Sequence, residues 1–346
     1  MKFNKLVLIT FIVLVLLTIS AVSANNVNVN QTEDSLDLLG ENQNSIYVDA
    51  IFGLDSNNGF SNESSVKTIS KAISISGGDD NIYLADGTYS GLENTRLNIT
   101  KSLNFIGSGN TIIDGKNKNY LFIVSDNITV TFKNIQFVNA YKSPNSYSVH
   151  YNHQVYGAAI DIKNSNVVID NCTFKNNVLY YDTIDESIYG GAISNFGDLT
   201  ILNSYFENNT ALSTSGLLSY GGCVYNKGRL LINSSVLNKS KSVDFGYGAG
   251  IGNDGYAVID SSVITNSYTA QECKGSAIYN AGELILTNSK IENNHIKRAS
   301  FDTMFGSIYN SGNFTAYGNI FRNNTAHYQT PMSAYKGSPN IYNCAD

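Results

Sequence analysis

A block of about twenty residues recurs five times in this chain, and this repetition constrains the fold more than any other feature. The blocks keep their pattern, whereas the spacers between them vary in length and composition. A unit repeated at this period buries its apolar face only by stacking on its neighbours, so the repeat predicts a solenoid. The five blocks are Gly190–Asn209, Gly221–Ser240, Gly248–Ser267, Gly275–Asn294 and Phe305–Asn324.

Apolar residues recur at fixed positions in every block. Leu199 and Ile201 of the first block correspond to Leu230 and Ile232 of the second. The spacing of two residues is that of a β-strand, and no helical periodicity extends over two turns. The blocks are therefore predicted to form short strands, each stacked on the equivalent strand of the next block.

Each block also contains Asn-x-Gly, as in Asn195-Phe196-Gly197. Because Asn and Gly tolerate a left-handed backbone, we predict a sharp bend there. Further bends are predicted near Asn203 and after Asn208. Three short strands and three bends per block describe one coil of a parallel β-helix, and they fit a propeller or a leucine-rich repeat less well.

The first 24 residues have the pattern of a secretory signal peptide. Two lysines precede an apolar run from Leu6 to Leu17, and small residues lead up to Ala24. The run is short for a membrane span, so we predict cleavage rather than an uncleaved anchor. Residues 25–44 are polar and without periodicity, which predicts a flexible leader.

Residues 45–346 are predicted to form a single β-helix domain, with an N-terminal cap and first coils over 45–125 and repeat coils over 126–346. The stretch Val66–Ser76 has an amphipathic helical pattern, and we expect this helix to plug the open N-terminal end. Residues 337–344 align with 197–204, so the last coil is predicted to be incomplete. We therefore expect either a longer reading frame or end-to-end self-association.

The net charge argues against one class of ligand, and the positions of the cysteines argue against disulfide bonds. The formal net charge is −6, and the chain has no basic cluster, which argues against nucleic-acid binding. Among the four cysteines, Cys172 aligns with Ser204 and Cys223 with Ala192. These two cysteines would lie two coils apart, beyond the reach of a disulfide, so we predict four unpaired thiols.

Two sets of segments resemble known proteins. The opening segments resemble right-handed β-helix proteins of the pectate-lyase-like superfamily: Ile46-Tyr47-Val48-Asp49, Lys67-Thr68-Ile69 with Ala72-Ile73, and Ile82-Tyr83-Leu84-Ala85-Asp86-Gly87-Thr88-Tyr89. The repeats resemble adhesin-like surface proteins of methanogenic archaea and, more distantly, polymorphic outer-membrane proteins of bacteria: Tyr189-Gly190-Gly191-Ala192-Ile193 and Asn203-Ser204-Tyr205-Phe206-Glu207-Asn208-Asn209. The resemblance implies right-handed coiling, export and a role at the cell surface, and it transfers no catalytic residue.

The same superfamily contains polysaccharide lyases and glycoside hydrolases, so catalysis is the main alternative. A hydrolase needs carboxylates held at a fixed separation on rigid strands. Asp79 and Asp80 lie in a glycine-rich turn, and Asp170 and Asp260 are assigned to different columns of the coil. With no recurring carboxylate pair, we predict that the chain is not an enzyme and has no catalytic residues, metal site or cofactor.

The spacers are the candidate binding surface, because insertions that leave the coil unchanged belong on loops. If all spacers leave at one corner, they stack into a ridge rich in tyrosine. The predicted binding residues are Tyr151, Tyr180, Tyr181, Asp182, Tyr220, Tyr247 and Tyr268. Sequons supply candidate glycosylation sites at Asn30, Asn62, Asn208, Asn233, Asn238 and Asn323.

These patterns favour a secreted or surface-displayed, adhesin-like β-helix whose loops bind glycans or partner cell surfaces. A polysaccharide lyase or glycoside hydrolase and a purely structural envelope protein remain the alternatives.

Overall fold

Strands of successive coils pair in parallel and build four sheets along the axis of a β-helix. The computed structural model describes residues 44–143, 155–182, 187–214, 217–270, 273–297, 306–325, 332–334 and 339–342. The described residues contain many short strands and one α-helix around a continuous apolar core. The predicted all-β, parallel β-helix class is therefore confirmed.

The repeated blocks form sheets A and B, and the spacers form most of sheets C and D. Sheet A has 18 strands: Ser45–Val48, Asp80–Leu84, Gly87–Ser90, Leu103–Asp114, Thr129–Val138, Asn166–Asp170, Thr173–Lys175, Asp198–Leu202, Tyr205–Glu207, Arg229–Asn233, Val236–Asn238, Tyr256–Asp260, Val263–Thr265, Glu283–Thr287, Lys290–Glu292, Asn313–Tyr317, Ile320–Arg322 and Pro339–Tyr342. Sheet B has nine: Leu97–Ile99, Phe122–Val124, Ile160–Ile162, Ile193–Asn195, Val224–Asn226, Ile251–Asn253, Ile278–Asn280, Ile308–Asn310 and Met332–Ala334. Sheet C has six: Tyr141–Lys142, Val178–Tyr181, Thr210–Ser213, Lys241–Val243, Tyr268–Ala270 and His295–Lys297. Sheet D has four: Val155–Tyr156, Ile188–Tyr189, Ser219–Tyr220 and Gly246–Tyr247.

The predicted apolar columns are confirmed by the strand register. Ile201 pairs with Ile232, and Ile232 pairs with Ile259 in the following coil. All three side chains are completely buried. The other columns agree as well, since Leu199 pairs with Leu230 and Phe206 with Leu237.

The block Gly190–Asn209 contains the three predicted strands, but the block is not a whole coil, because the spacer that follows it forms two further strands. A complete coil has one strand in sheet B, two in sheet A, one in sheet C and one in sheet D. One such coil consists of Ile193–Asn195, Asp198–Leu202, Tyr205–Glu207, Thr210–Ser213 and Ser219–Tyr220. In the spacers 210–220 and 241–247, five residues and two residues respectively separate the sheet C strand from the sheet D strand.

The reason given for the conserved Asn-x-Gly pattern is also wrong, because neither residue of the pattern has a left-handed backbone. The asparagines instead form a buried ladder, in which the side-chain amide of Asn226 donates to Asn253 Oδ1 at 2.7 Å and that of Asn253 donates to Asn280 Oδ1 at 2.6 Å. The glycine is required by space, since a Cβ at Gly255 would lie 2.2 Å from the carbonyl oxygen of Gly228. Left-handed residues do occur at the second and third predicted bends, at Asn203 and Asn208.

A short helix closes the N-terminal end as predicted, although it is shorter than the pattern suggested. The helix α1 spans Ile69–Ile75, and the Thr68 side chain caps it by accepting from the backbone N–H of Lys71. Ile69 and Ala72 are buried in the core. In the described residues, no helix is long and apolar enough to cross a membrane.

At the other end, the segment Pro339–Tyr342 continues sheet A. Pro339 pairs with Phe314 and Ile341 with Ala316, which is the register that the sequence alignment predicts. The predicted signal peptide and the leader up to residue 43 lie outside the described residues, and self-association stays a prediction.

Three cysteines are described, and all three are unpaired and buried. Burial raises the pKa of Cys172 to about 12 and that of Cys273 to about 11, and it also raises the pKa of Cys223. Cys344 lies outside the described residues. Reactive cysteines are accessible and have a lowered pKa, so these three thiols belong to the inert class.

We expect these three thiols to be unreactive toward a thiol reagent in the native protein at pH 8. After denaturation without reductant, four equivalents of reagent should react, because the sequence contains four cysteines. Prior reduction serves as the control and should leave the count unchanged. A count of two that rises to four after reduction would reveal a disulfide.

Candidate functional site

The spacer residues predicted to bind a ligand have different environments. Tyr180 is half-buried and its ring lies 6.3 Å from that of Tyr141 in the preceding coil. Tyr181 is only 8% exposed, so its assignment as an exposed ligand contact is wrong. Leu179 and Tyr181 are buried because alternate residues of this strand face the core. Asp182, the next residue, is exposed.

The remaining predicted tyrosines fall into two groups. Tyr268 lies in sheet C, in register with Lys241 and His295. Tyr220 and Tyr247 lie together in sheet D, where their ring centroids are 4.9 Å apart. Tyr151 lies outside the described residues.

Sheet D carries a column of tyrosines, one from each coil. The ring of Tyr156 lies 5.5 Å from that of Tyr189, which in turn lies 5.1 Å from Tyr220. Tyr247 continues the column, and all four side chains are partly exposed. Since the rings stack along the column, a ligand on this surface meets mainly ring edges and hydroxyl groups.

Aromatic residues of the adjoining part of the coil pack against this column. The ring of Tyr225 lies 4.6 Å from Tyr189, and that of Tyr279 lies 4.9 Å from Tyr247 in an edge-on arrangement. Together these residues make one continuous aromatic cluster, which we call the tyrosine face, and within it Tyr225 and Tyr309 are buried beneath the partly exposed rings. It consists of Tyr156, Tyr189, Tyr220 and Tyr247 with Phe196, Tyr225, Tyr279 and Tyr309.

Glycines shape this face. Gly252 lies between Tyr225 and Tyr279 in the register of sheet B. A Cβ at Gly252 would lie 3.0 Å from the backbone nitrogen of Gly221, so a side chain there would crowd the backbone that carries Tyr220. The rings of Tyr220 and Tyr279 lie 5.7 Å apart.

The binding residues predicted from the sequence include two residues of this face, Tyr220 and Tyr247. The other six were not predicted. A usable signal was present, because each tyrosine of the sheet D column directly precedes a glycine with a left-handed backbone. The dipeptide recurs as Tyr156-Gly157, Tyr189-Gly190, Tyr220-Gly221 and Tyr247-Gly248.

Hydroxyl groups on this face are in a partly desolvated setting. The Tyr225 hydroxyl donates to Asp254 Oδ2 at 2.7 Å. Desolvation raises the pKa of Asp254, and burial raises the pKa of Tyr279 to about 12. Burial also raises the pKa of Tyr220 and Tyr225, so these phenols remain protonated hydrogen-bond donors at neutral pH.

A cluster of charged residues lies at the N-terminal end of the face. Asp161 is almost fully buried, and its Oδ2 lies 3.3 Å from Lys142 Nζ and 3.0 Å from Lys163 Nζ. The Ser194 hydroxyl donates to Asp161 Oδ1 at 2.8 Å. Lys142 Nζ also donates to the carbonyl oxygen of Tyr156 at 2.6 Å. Burial lowers the pKa of Lys142.

Lysines lie against the tyrosine rings at both ends of the column. Lys163 Nζ lies 4.8 Å from the ring centroid of Tyr156. At the opposite end, Lys274 Nζ lies 4.9 Å from the ring of Tyr247 and 5.1 Å from that of Tyr309. These distances are within the range of cation–π attraction.

The carboxylates considered for catalysis have structural roles. Asp80 is buried and accepts hydrogen bonds from the backbone N–H groups of Asn44 at 3.0 Å and Gly77 at 2.7 Å. The described residues contain no group of three metal-ligating side chains close enough to hold an ion.

The assignment of Asp170 and Asp260 to different columns is wrong. The register links Asp170 to Leu202, Leu202 to Asn233 and Asn233 to Asp260, so both aspartates share a column, three coils apart. That separation is roughly 14 Å at the usual strand spacing, too far for a carboxylate pair. Asp260 accepts hydrogen bonds from neighbours that include Thr287 Oγ1 at 2.6 Å.

The candidate glycosylation sites also differ in environment. Asn62 and Asn323 are exposed. The side-chain amides of three others are engaged: Asn208 donates to Asn176 Oδ1, Asn233 to Asp260 Oδ2 and Asn238 to the Tyr205 hydroxyl. Asn30 lies outside the described residues.

Comparison with known proteins finds distant matches among solved structures. A rhamnogalacturonan lyase matches with a TM-score of 0.42 and 13% identity over 87% of each chain. The pectate lyase Pel9A matches with a TM-score of 0.41 and 15% identity over 87% of this chain and 78% of that one. A GH136 lacto-N-biosidase from Eubacterium ramulus has a TM-score of 0.31 and 12% identity over 87% of this chain and 67% of that one.

No family model and no curated protein sequence matches the chain. The chain is a parallel β-helix protein, a class that its own strand register defines. The similarities to these structures are distant, and they carry no activity over to this chain.

Proposed function

We propose that this chain is a secreted or cell-surface β-helix protein that binds glycans without turning them over. The tyrosine face is the binding surface. The observation that supports this proposal is a continuous aromatic surface, partly exposed on several successive coils. A polysaccharide is itself a repeating molecule, and a tyrosine repeated on four successive coils offers it a succession of similar contacts.

The chemistry of the face suits sugars. Tyrosine presents an apolar ring beside a hydroxyl group, so it contacts both the C–H surfaces and the hydroxyl groups of a saccharide. The rings hold one another in place, which reduces the conformational entropy lost when a ligand is bound. An adhesin-like role at the cell surface fits such a face together with the signal-peptide pattern of residues 1–24.

The test is a glycan and whole-cell binding screen with the purified chain, followed by substitutions in the face. Tyr220→Ala removes a ring that contacts four others, and we expect at least tenfold weaker binding because central aromatic residues dominate binding energies. Tyr220→Phe keeps the ring and isolates the contribution of the hydroxyl. Tyr205→Ala, on the outer surface of sheet A, is the matched control and should bind normally.

Melting temperatures accompany each binding measurement, so that loss of folding is not mistaken for loss of contact. Equal binding by the Tyr220 and Tyr205 alanine variants would rule out the tyrosine face as the site. Release of new reducing ends or unsaturated sugars from any bound polysaccharide would replace the non-catalytic proposal with the enzymatic alternative.

A further inference from the structure

The tyrosine face is bordered by positive charge although the chain as a whole is acidic. Its formal net charge is −6, yet lysines lie against the rings at both ends of the tyrosine column. The face also contains one carboxylate, that of Asp254, whose Oδ2 accepts a hydrogen bond from the Tyr225 hydroxyl at 2.7 Å. The positive charge therefore lies at the two ends of the column, where it would attract the anionic groups of a ligand.

The N-terminal end has more cations than its carboxylate can neutralise. Lys142 and Lys163 share the single carboxylate of Asp161. Arg96 adds a third cation, since its guanidinium carbon lies 5.6 Å from the ring of Tyr120, and Lys142 Nζ lies 5.3 Å from the same ring. Within the described part of the chain, Asp161 is the only carboxylate in ion pairs with these cations.

The charged residues of this cluster differ in how far they are buried, and therefore in whether a ligand can contact them. Lys142 and Asp161 are largely buried and neutralise each other, with side-chain exposures of 18% and 2%. Lys163 is 42% exposed, and Arg96 is also exposed. Lys163 and Arg96 are therefore the groups that a ligand can reach, and a bound anion would balance charge that the protein leaves in excess.

The C-terminal end of the column has a lysine against its rings, Lys274. Lys274 follows Tyr247 in the column register, one coil further along the axis. Its Nζ contacts the rings of Tyr247 and Tyr309, and none of the ion pairs found among the described residues includes it. Four strand steps separate it from Tyr156, a distance of roughly 19 Å at the usual spacing of about 4.8 Å.

We infer that the glycan held by the tyrosine face is acidic and carries carboxylate or sulfate groups at several positions along its length. One anionic group pairs with Lys163 beside Tyr156, another pairs with Lys274 beside Tyr247, and the chain between them lies along the tyrosine column. Arg96 contacts a further anionic group beside Tyr120. This inference rests on the proposed glycan-binding function and adds the charge of the ligand and its direction along the helix axis.

The experiment compares polymers that share a backbone and differ in charge. Polygalacturonate and its fully methyl-esterified form test carboxylates, and dextran sulfate and dextran test sulfates. Binding of the full-length chain is measured by titration calorimetry at two salt concentrations. We expect the charged polymer of at least one pair to bind at least tenfold more tightly than its neutral partner, with affinity that falls as salt increases.

Substitutions locate the contacts. Arg96→Gln combined with Lys163→Gln should weaken binding of the charged polymer roughly tenfold, and Lys274→Gln should do so independently, while the neutral polymer is unaffected. The matched control is Lys133→Gln combined with Lys175→Gln, which removes two partly exposed lysines from sheet A. Melting temperatures establish that each variant is folded.

Each outcome separates this inference from the proposed function. If the neutral and charged polymers bind equally and Tyr220→Ala weakens both, the glycan-binding face stands and its acidic specificity is overturned. An equal loss from the sheet A control would show non-specific ion attraction and would also overturn it. If no glycan from the screen or from these polymers binds to the folded chain, the proposed function itself fails.

Discussion

Ile232→Asp should destabilise the protein by at least about 4 kcal/mol, the range of the most damaging single substitutions. Ile232 is completely buried between Ile201 and Ile259 of the neighbouring coils. The substitution removes apolar burial of about 1.5–3 kcal/mol and also places a carboxylate among aliphatic side chains with no cation beside it. Denaturant unfolding monitored by circular dichroism measures the loss.

Two control variants make this test specific to the column register. Leu231→Asp changes the adjacent residue of the same strand, which faces outward and is partly exposed, so it should cost much less. Thr214→Asp changes an exposed spacer residue and should alter stability by no more than about 0.5 kcal/mol. Equal losses at positions 231 and 232 would contradict the assignment of inward and outward faces.

Asn253→Asp should be nearly as damaging, at about 3 kcal/mol or more above neutral pH, although it changes only one atom of the side chain. The Asn253 side chain is completely buried in the asparagine ladder. Its amide donates to Asn280 Oδ1 at 2.6 Å and to the carbonyl oxygen of Glu283 at 3.1 Å. A carboxylate would direct negative charge at both acceptors and remove both hydrogen bonds.

The same change at Asn266 is the matched control. Asn266 is exposed and has a left-handed backbone, which aspartate also tolerates, so Asn266→Asp should cost little. The two variants have the same composition and net charge. A comparable loss of stability in both would show that the ladder does not depend on its buried amide donors.

The loss caused by Asn253→Asp should depend on pH. Burial and the facing acceptors raise the pKa of the introduced carboxyl group in the folded state above its unfolded value. The folded state therefore binds the proton more tightly, and the variant loses stability as the pH rises above the unfolded value near 3.9. Relative to the unsubstituted protein, the deficit should be smallest at acidic pH, where the protonated group can donate to Asn280. A deficit that does not change with pH would contradict this account.

The residues of the tyrosine face could not all be predicted from local sequence patterns. The ridge hypothesis selected Tyr180 and Tyr181 because both lie in a variable spacer. The spacer contains a β-strand, in which successive side chains face opposite sides of the sheet. The Tyr181 side chain therefore faces the core, and that of Tyr180 is partly exposed. Tyr220 and Tyr247 were selected for the same reason. The register of sheet D places them in one column, which packs against Tyr225 and Tyr279 of sheet B.

The sequence by itself determined the β-helix, because each block repeats one apolar pattern and only stacking can bury it. It determined the register of the core for the same reason: a shift of one residue would turn every apolar side chain of a strand outward. This is why the pairing of Ile201 with Ile232 could be predicted from the alignment of the blocks alone.

Only the tertiary structure decided that the recurring asparagines form a buried hydrogen-bonded ladder, and where the tyrosine face and the charged cluster lie. These features join residues whose partners are one or more coils away, and the spacer lengths that set those separations follow no fixed period. Lys142 meets Asp161, 19 positions further along the chain, and Tyr220 of sheet D meets Tyr279 of sheet B. The apolar pattern within each block specifies its strands, whereas contacts between residues of different coils specify the tyrosine face.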